Sequence, residues 1–282
     1  MITDKFMAVA GTVIGTEHRR LGKNNQDGYF IAANGYVLSA AISDGCSSSI
    51  SSEVGAKLLS RFIAEEALKL IMRECVIKGS EIMERLEENA IKYMKNILSR
   101  HQNPESALDE MFLATIVGVI MNDYFATIYA IGDGVYALNG EIGIIDESNM
   151  PNYPAYKVLP GNYEVDESKI KLRLKREVFT DDVESILIAT DGANDLIRKA
   201  GRTINILGKE EKVKGLNQFE KEEKYLRNPT LLQKRLTQLN TERTSIDWEN
   251  REINKFEGIL SDDTTIILIK RKDPAQISNI DR

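Results

Sequence analysis

The chain has 282 residues, room for one large domain or two modest ones, and its 42% hydrophobic and 28% charged content excludes disordered, collagen-like and fibrous classes. A formal net charge of −6, from 37 basic and 43 acidic residues, advertises no basic face for a nucleic-acid backbone. No window supplies the roughly 20 apolar residues that span a bilayer, and the N-terminal "KFMAVAGTVIG" carries no convincing cleavage site; a cytoplasmic, monomeric protein free of membrane is expected.

In chain order, "FMAVAGTVIG" (6–15) and "GYFIAANGYVLSAAIS" (28–43) are rich in β-compatible residues, and Asn34-Gly35 marks a hairpin turn within the second. That hairpin brings Asp27 and Asp44 to the same end. Ser51 or Ser52 caps an expected helix to about Cys75, with Val54, Leu58, Leu59, Phe62, Leu68 and Ile71 as its apolar stripe. A second helix is expected from Ser80, with Ile82, Leu86, Ala90, Tyr93, Met94 and Ile97 at helical spacing. "FLATIVGVIM", "YFATIYAIGDG" and "VYALNGE", joined by Asn122-Asp123 and followed by an Asn-Gly turn, read as consecutive hairpin-linked strands of one antiparallel sheet. Residues 146–180, with three prolines, read as loops with room for short strands; "VESILIATDGANDLIRK" reads as strand, Asp-Gly turn and short helix. Residues 200–258 are dense in Lys and Glu, with helical pattern clearest at 229–240. They read as a solvated helical insertion in a single domain spanning 1–282, the sharper alternative being a flap over the site.

Cys46 and Cys75 are the only cysteines and His18 and His101 the only histidines, so zinc or imidazole-centred hydrolysis is poorly supplied and carboxylates must carry any hydrolytic chemistry. Three apolar runs end in Asp-Gly, at Asp44, Asp133 and Asp191, and one opens with Asp262-Asp263. One Asp-Gly alone is a turn, because Asp bonds local backbone and Gly accepts positive φ. Gathered at neighbouring strand ends, such acids repel one another unless a cation intervenes. An all-oxygen cluster suits magnesium or manganese better than zinc or copper. Two such ions activate a bridging water for in-line attack on a phosphoryl group.

The ordered set "NNQDGYF" (24–30), "SDGCSSSISSEVGA" (43–56), "AIGDGVYAL" (130–138), "LIATDGANDL" (187–196) and "SDDTTIILI" (261–269) resembles the metal-dependent PP2C-type (PPM) serine/threonine phosphatases. The resemblance implies an α+β fold, a four-layer α-β-β-α sandwich of two antiparallel sheets flanked by helices. It implies two Mn2+ or Mg2+ ions and a phosphoprotein substrate. Asp27, Asp44, the Gly45 carbonyl, Asp191 and Asp262 are the implied metal ligands, with Asp133 and, less securely, Asp195 for a third, weaker ion. Two departures matter. Gly22 stands where many relatives carry a phosphate-gripping arginine, which leaves Lys23, Arg19 or Arg20 as substitutes, and a lysine cannot reproduce a guanidinium's bidentate grip. Cys46 and serines replace a histidine-containing loop, which makes His18 a candidate general acid beside water. These departures keep two alternatives in view: a catalytically silent regulatory domain of the same fold, and a phosphatase of small phosphorylated metabolites.

Overall fold

The computed structural model describes residues 1–273 except 77, 147–151, 160–162, 164, 167 and 207–208. Its strands are β1 (Phe6–Val13), β2 (Asp27–Ala33), β3 (Leu38–Asp44), β4 (Ile116–Met121), β5 (Phe125–Ile131), β6 (Gly134–Leu138), β7 (Glu141–Ile145), β8 (Arg173–Phe179), β9 (Ser185–Ala189), β10 (Thr203–Ile206), β11 (Lys209–Lys212), β12 (Arg243–Asp247), β13 (Glu252–Phe256) and β14 (Thr264–Arg271). The helices are α1 (Ile2–Lys5), α2 (Thr16–Arg20), α3 (Ser52–Glu74), α4 (Met83–Leu98), α5 (Pro104–Met111), α6 (Asn194–Arg198), α7 (Gln218–Lys221), α8 (Lys224–Arg227) and α9 (Thr230–Leu239). None of them is long and apolar enough to cross a membrane.

Two five-stranded antiparallel sheets, ordered β1-β14-β9-β6-β7 and β2-β3-β4-β5-β8, stack face to face. Side chains alternate across a strand, so a strand covered on both faces must be apolar at every position. In β14, Ile267 and Ile269 enter the core between the sheets, while Ile266 and Leu268 join the layer holding Leu232, Leu236 and Leu239 of α9. In β4, Val117, Val119 and Met121 face inward, and Ile116 and Ile120 meet Ile63, Ala67 and Leu86 of α3 and α4. Helices therefore cover both outer faces, which makes the four layers the sequence implied.

Particular expectations shift. Of the expected α3 stripe, Leu59 and Ile71 are buried, Leu58, Phe62 and Leu68 are half-buried and Val54 is exposed; the buried face runs through Ala56, Leu59, Ile63, Ala67 and Leu70. Small residues on that face let the helix lie close on β2 and β3. The strands from 116 to 145 are split between the sheets: β4 and β5 belong to one, β6 and β7 to the other. The switch occurs at Gly132-Asp133-Gly134, where Gly132 takes φ +85° and Gly134 φ +151°, values that only glycine adopts without strain. The short helix α5 was unforeseen, although Asn103 caps it by accepting from Ser106 N and Pro104 occupies its first turn. Within 200–258, α9 packs on β1, and the elements around it form the outer layer of one sheet rather than a flap. Hairpins β10-β11 and β12-β13 complete that stretch. The expected loops and short strands at 146–180 fall partly outside the described residues; those described include a 3-10 turn at Pro154–Lys157 and β8 on β5.

Candidate metal centre

The β2-β3 register pairs Asp27 with Asp44, so the hairpin delivers both acids to one sheet end. Asp191 follows β9 and Asp262 precedes β14, neighbouring strands of the facing sheet. A cavity of about 180 Å³ opens there, lined by Asp44, Gly45, Asp133, Asp191 and Asp262 together with Cys46, Ser47, Thr115 and Tyr153. Asp27 lies buried behind it, where its Oδ2 accepts a 2.9 Å bond from Thr190 Oγ1. Two glycines permit the convergence. A Cβ on Gly45 would meet Gln26 O at 2.7 Å, and one on Gly192 would meet Asp263 O at 2.1 Å, so neither approach tolerates a side chain.

Crowding has an electrostatic signature. Burial, then the carboxylates of Asp27, Asp191 and Asp262, push the Asp44 carboxyl well above its ordinary range. Burial likewise raises Asp27, with Asp263 and Asp262 adding to it against hydrogen bonds from Thr265 and Thr190. Asp262 is raised by burial and Asp191, opposed by the Asp263 N–H and His18. Buried Oδ1 atoms of Asp27 and Asp191 have no hydrogen-bond partner among the described residues. Buried oxygens without donors, repelling one another across a small cavity, fit hard divalent cations.

The adjacent acids Asp262 and Asp263 diverge. Asp262 lines the cavity, whereas Asp263 is buried and accepts from Gly15 N at 2.6 Å and Gln26 N at 2.5 Å. His18 is buried too, its Nδ1 2.9 Å from Asp263 Oδ2 and 3.7 Å from Asp262 Oδ1. It sits behind Asp262 instead of lining the cavity, so the expected general acid is placed as a buttress of the Asp262 loop. Arg19 donates to Asn240 O at 3.0 Å, and Arg20 pairs with Glu257 at 2.8 Å and Glu242 at 3.8 Å; both turn away from the cavity because other partners hold them. Lys23 donates to the Ser47 carbonyl, at the cavity's loop but already engaged. Asp195 accepts from Ser261 N at 2.8 Å and Ser261 Oγ at 2.6 Å and meets Lys199 at 3.2 Å. Although burial works against it, those contacts hold its carboxyl below the usual range, and it anchors the segment that carries Asp262.

The contacts of several residues escaped the sequence reading. Gln26 Nε2 donates to Ser52 Oγ at 2.7 Å and Ser49 O at 3.2 Å, shaping the Cys46 loop with a donor that an acid there would lack. Thr190 and Thr265, beside the acids in "ATDG" and "DDTT", were legible as neighbours but not as donors to Asp27. Tyr153 lies in a proline-containing loop with no chemical signature; burial, then Cys46, push its phenol far above its ordinary value. Hydrogen bonds from Ser48, Tyr153 and Ser49 outweigh burial and hold the Cys46 thiol below its ordinary value.

Three solved structures of a bacterial serine phosphatase share this architecture. The unsubstituted protein is 14% identical with TM-score 0.50, covering 95% of this chain and 98% of that one. An arginine-to-alanine variant is 14% identical with TM-score 0.51, and an arginine-to-glutamate variant 13% identical with TM-score 0.52; each covers 95% of this chain and 99% of its own. At such identities they speak to the fold alone. No curated protein matches at the level of sequence. The profile of protein phosphatase 2C matches residues 14–241, most of the chain. On that match, and with the sandwich and its acid-lined end in place, the chain belongs to the protein phosphatase 2C family.

Proposed function

We propose that this chain hydrolyses phosphoserine and phosphothreonine in proteins, using two Mn2+ or Mg2+ ions held by Asp44, Gly45, Asp191 and Asp262, with Asp27 behind them and Asp133 able to serve a third. The observation that carries this reading is the convergence of Asp44, Asp191 and Asp262 from two sheets onto one cavity. When bound, such ions supply the Lewis acidity that activates water and neutralises phosphoryl charge. The chain's own contribution is placement. Asp44 stands among Asp27, Asp191 and Asp262, and Thr190, Thr115 and Gln26 fix the surrounding backbone and side chains. With His18 buried behind the site, its Nδ1 2.9 Å from Asp263 Oδ2, solvent supplies the proton to the departing alkoxide. Two free cysteines support a cytoplasmic setting, and the net charge of −6 supports a protein rather than a nucleic-acid substrate.

The test is phosphate release from a phosphothreonine peptide. Manganese-dependent turnover, lost with EDTA and reduced by about two to three orders of magnitude in Asp44→Asn, is the expected result. One observation favours the silent regulatory reading: no arginine lines the cavity among the described residues. A folded protein without turnover under any divalent ion would favour it, and turnover of small phosphates without phosphopeptides would favour a metabolite substrate.

A further inference from the structure

A second cavity, of about 210 Å³, adjoins the first and shares two of its walls, Asp133 and Asp191. Its remaining lining includes Ile144, Ile197, Asp146 and Arg198. Arg198 closes α6, the short helix that begins just after the Asp191 turn, so its position is fixed by the same backbone that places a metal ligand. Its guanidinium is exposed and makes no hydrogen bond or ion pair with a described residue. The other cations near the centre are engaged: Arg19 with a carbonyl, Arg20 with two glutamates, Lys23 with Ser47. Among the described residues, Arg198 is thus the cation left available at this rim.

Resting on the phosphatase reading, we infer that this second cavity receives the residue next to the phosphorylated one, and that Arg198 makes the enzyme prefer an acidic side chain there. The phosphoryl group must occupy the first cavity, beside the ligating acids. Because the two cavities meet at Asp133 and Asp191, an adjacent peptide residue falls against Ile144 and Ile197 with its end toward Arg198. A side chain with an aliphatic stem and a carboxylate matches apolar walls and a free guanidinium. Asp146 lines the same space and opposes the acid, so Arg198 sets the sign of the preference.

The experiment compares phosphothreonine peptides carrying Glu, Ala or Lys on either side of the phosphorylated residue, against p-nitrophenyl phosphate, for the manganese-loaded wild type, Arg198→Ala and Arg198→Glu. Binding of the same peptides with a non-hydrolysable phosphonate is measured in parallel by calorimetry. A partly exposed ion pair predicts a Glu-over-Lys ratio in kcat/KM and in affinity of roughly threefold to fivefold. That ratio should collapse in Arg198→Ala and invert in Arg198→Glu, with the loss on the Glu peptide exceeding the loss on p-nitrophenyl phosphate. A ratio unchanged by either substitution overturns the inference, as does an equal loss on both substrates, which would place Arg198 on the phosphoryl group instead. Absence of p-nitrophenyl phosphate turnover in the wild type would sink the phosphatase reading separately, and the phosphonate affinities would still decide Arg198.

Discussion

Removing the Asp263 side chain strands the Gly15 and Gln26 N–H groups and the His18 imidazole in a buried site. Asp263→Ala should therefore cost about 2–6 kcal/mol in urea unfolding, the penalty of about 1–3 kcal/mol for each of the two buried N–H groups left without an acceptor. Its neighbour behaves oppositely. Asp262→Asn removes a half-exposed charge from a repelling group, so metal-free stability should hold within about 0.5 kcal/mol or rise while turnover collapses. Equal stability losses in the two variants would contradict the division of roles. The sequence showed two adjacent acids, and family resemblance implied Asp262 as the ligand; what it could not show was that the other acid accepts two backbone donors, because those lie far away along the chain. Gly192→Ala is the steric counterpart: its Cβ would sit 2.1 Å from Asp263 O, and such overpacking should lower stability by about 1–3 kcal/mol in a denaturant melt.

At the scale of elements, α9 holds the site loops through one residue at its end. Asn240 is fully buried; its Nδ2 donates to Ile14 O at 2.6 Å and its Oδ1 accepts from Leu260 N at 3.1 Å, while its carbonyl receives Arg19. Ile14 and Leu260 border the loops that carry His18 and Asp262. Asn240→Ala leaves two buried backbone groups without partners, an expected loss of about 2–6 kcal/mol from penalties of about 1–3 kcal/mol each. It should also weaken manganese binding in calorimetry, since the Asp262 loop loses its tether; unaltered metal affinity would confine Asn240 to stability. Helical spacing revealed α9 at 229–240, yet its partner did not follow, since an amphipathic stripe specifies burial without naming the sheet. The switch between β5 and β6 was hidden for a related reason. Asn-Gly and Asp-Gly signals announce turns, and only packing decides whether the next strand pairs in the same sheet.

For the molecule as a whole, the acid cluster makes stability depend on pH and metal together. Asp27, Asp44 and Asp262 carry folded-state pKa values raised above those of an unfolded chain. The folded state thus binds more protons, and the stability these groups contribute is full below about 3.9, the ordinary Asp value, and lost as pH climbs through the raised values. Metal-free protein should melt at a lower temperature at pH 7.5 than at pH 5.5 as far as these acids govern it. Manganese at a fixed concentration, a hundredfold its Kd at pH 7.5, should add about 2.7 kcal/mol there and less at pH 5.5, where protons compete and raise the Kd. A metal-induced shift independent of pH would argue against carboxylate ligation. The layered architecture was readable because strands covered on both faces must be apolar throughout, and five motifs fell in family order. The surroundings of the acids were not readable, because Thr190, Gln26 and Tyr153 act through distant partners.

The pairing of β1 with β14 joins strands from opposite ends of the sequence, Phe6 facing Arg271 and Val13 facing Thr264. A chain emerging from the ribosome cannot close this sheet, or bring Asp262 to Asp27, until the last strand has been made. The enzyme is consequently inert throughout its own synthesis: a truncated or stalled product can pair Asp27 with Asp44 through the β2-β3 hairpin but does not set Asp262 beside them, and cannot act on phosphoproteins while it is being born.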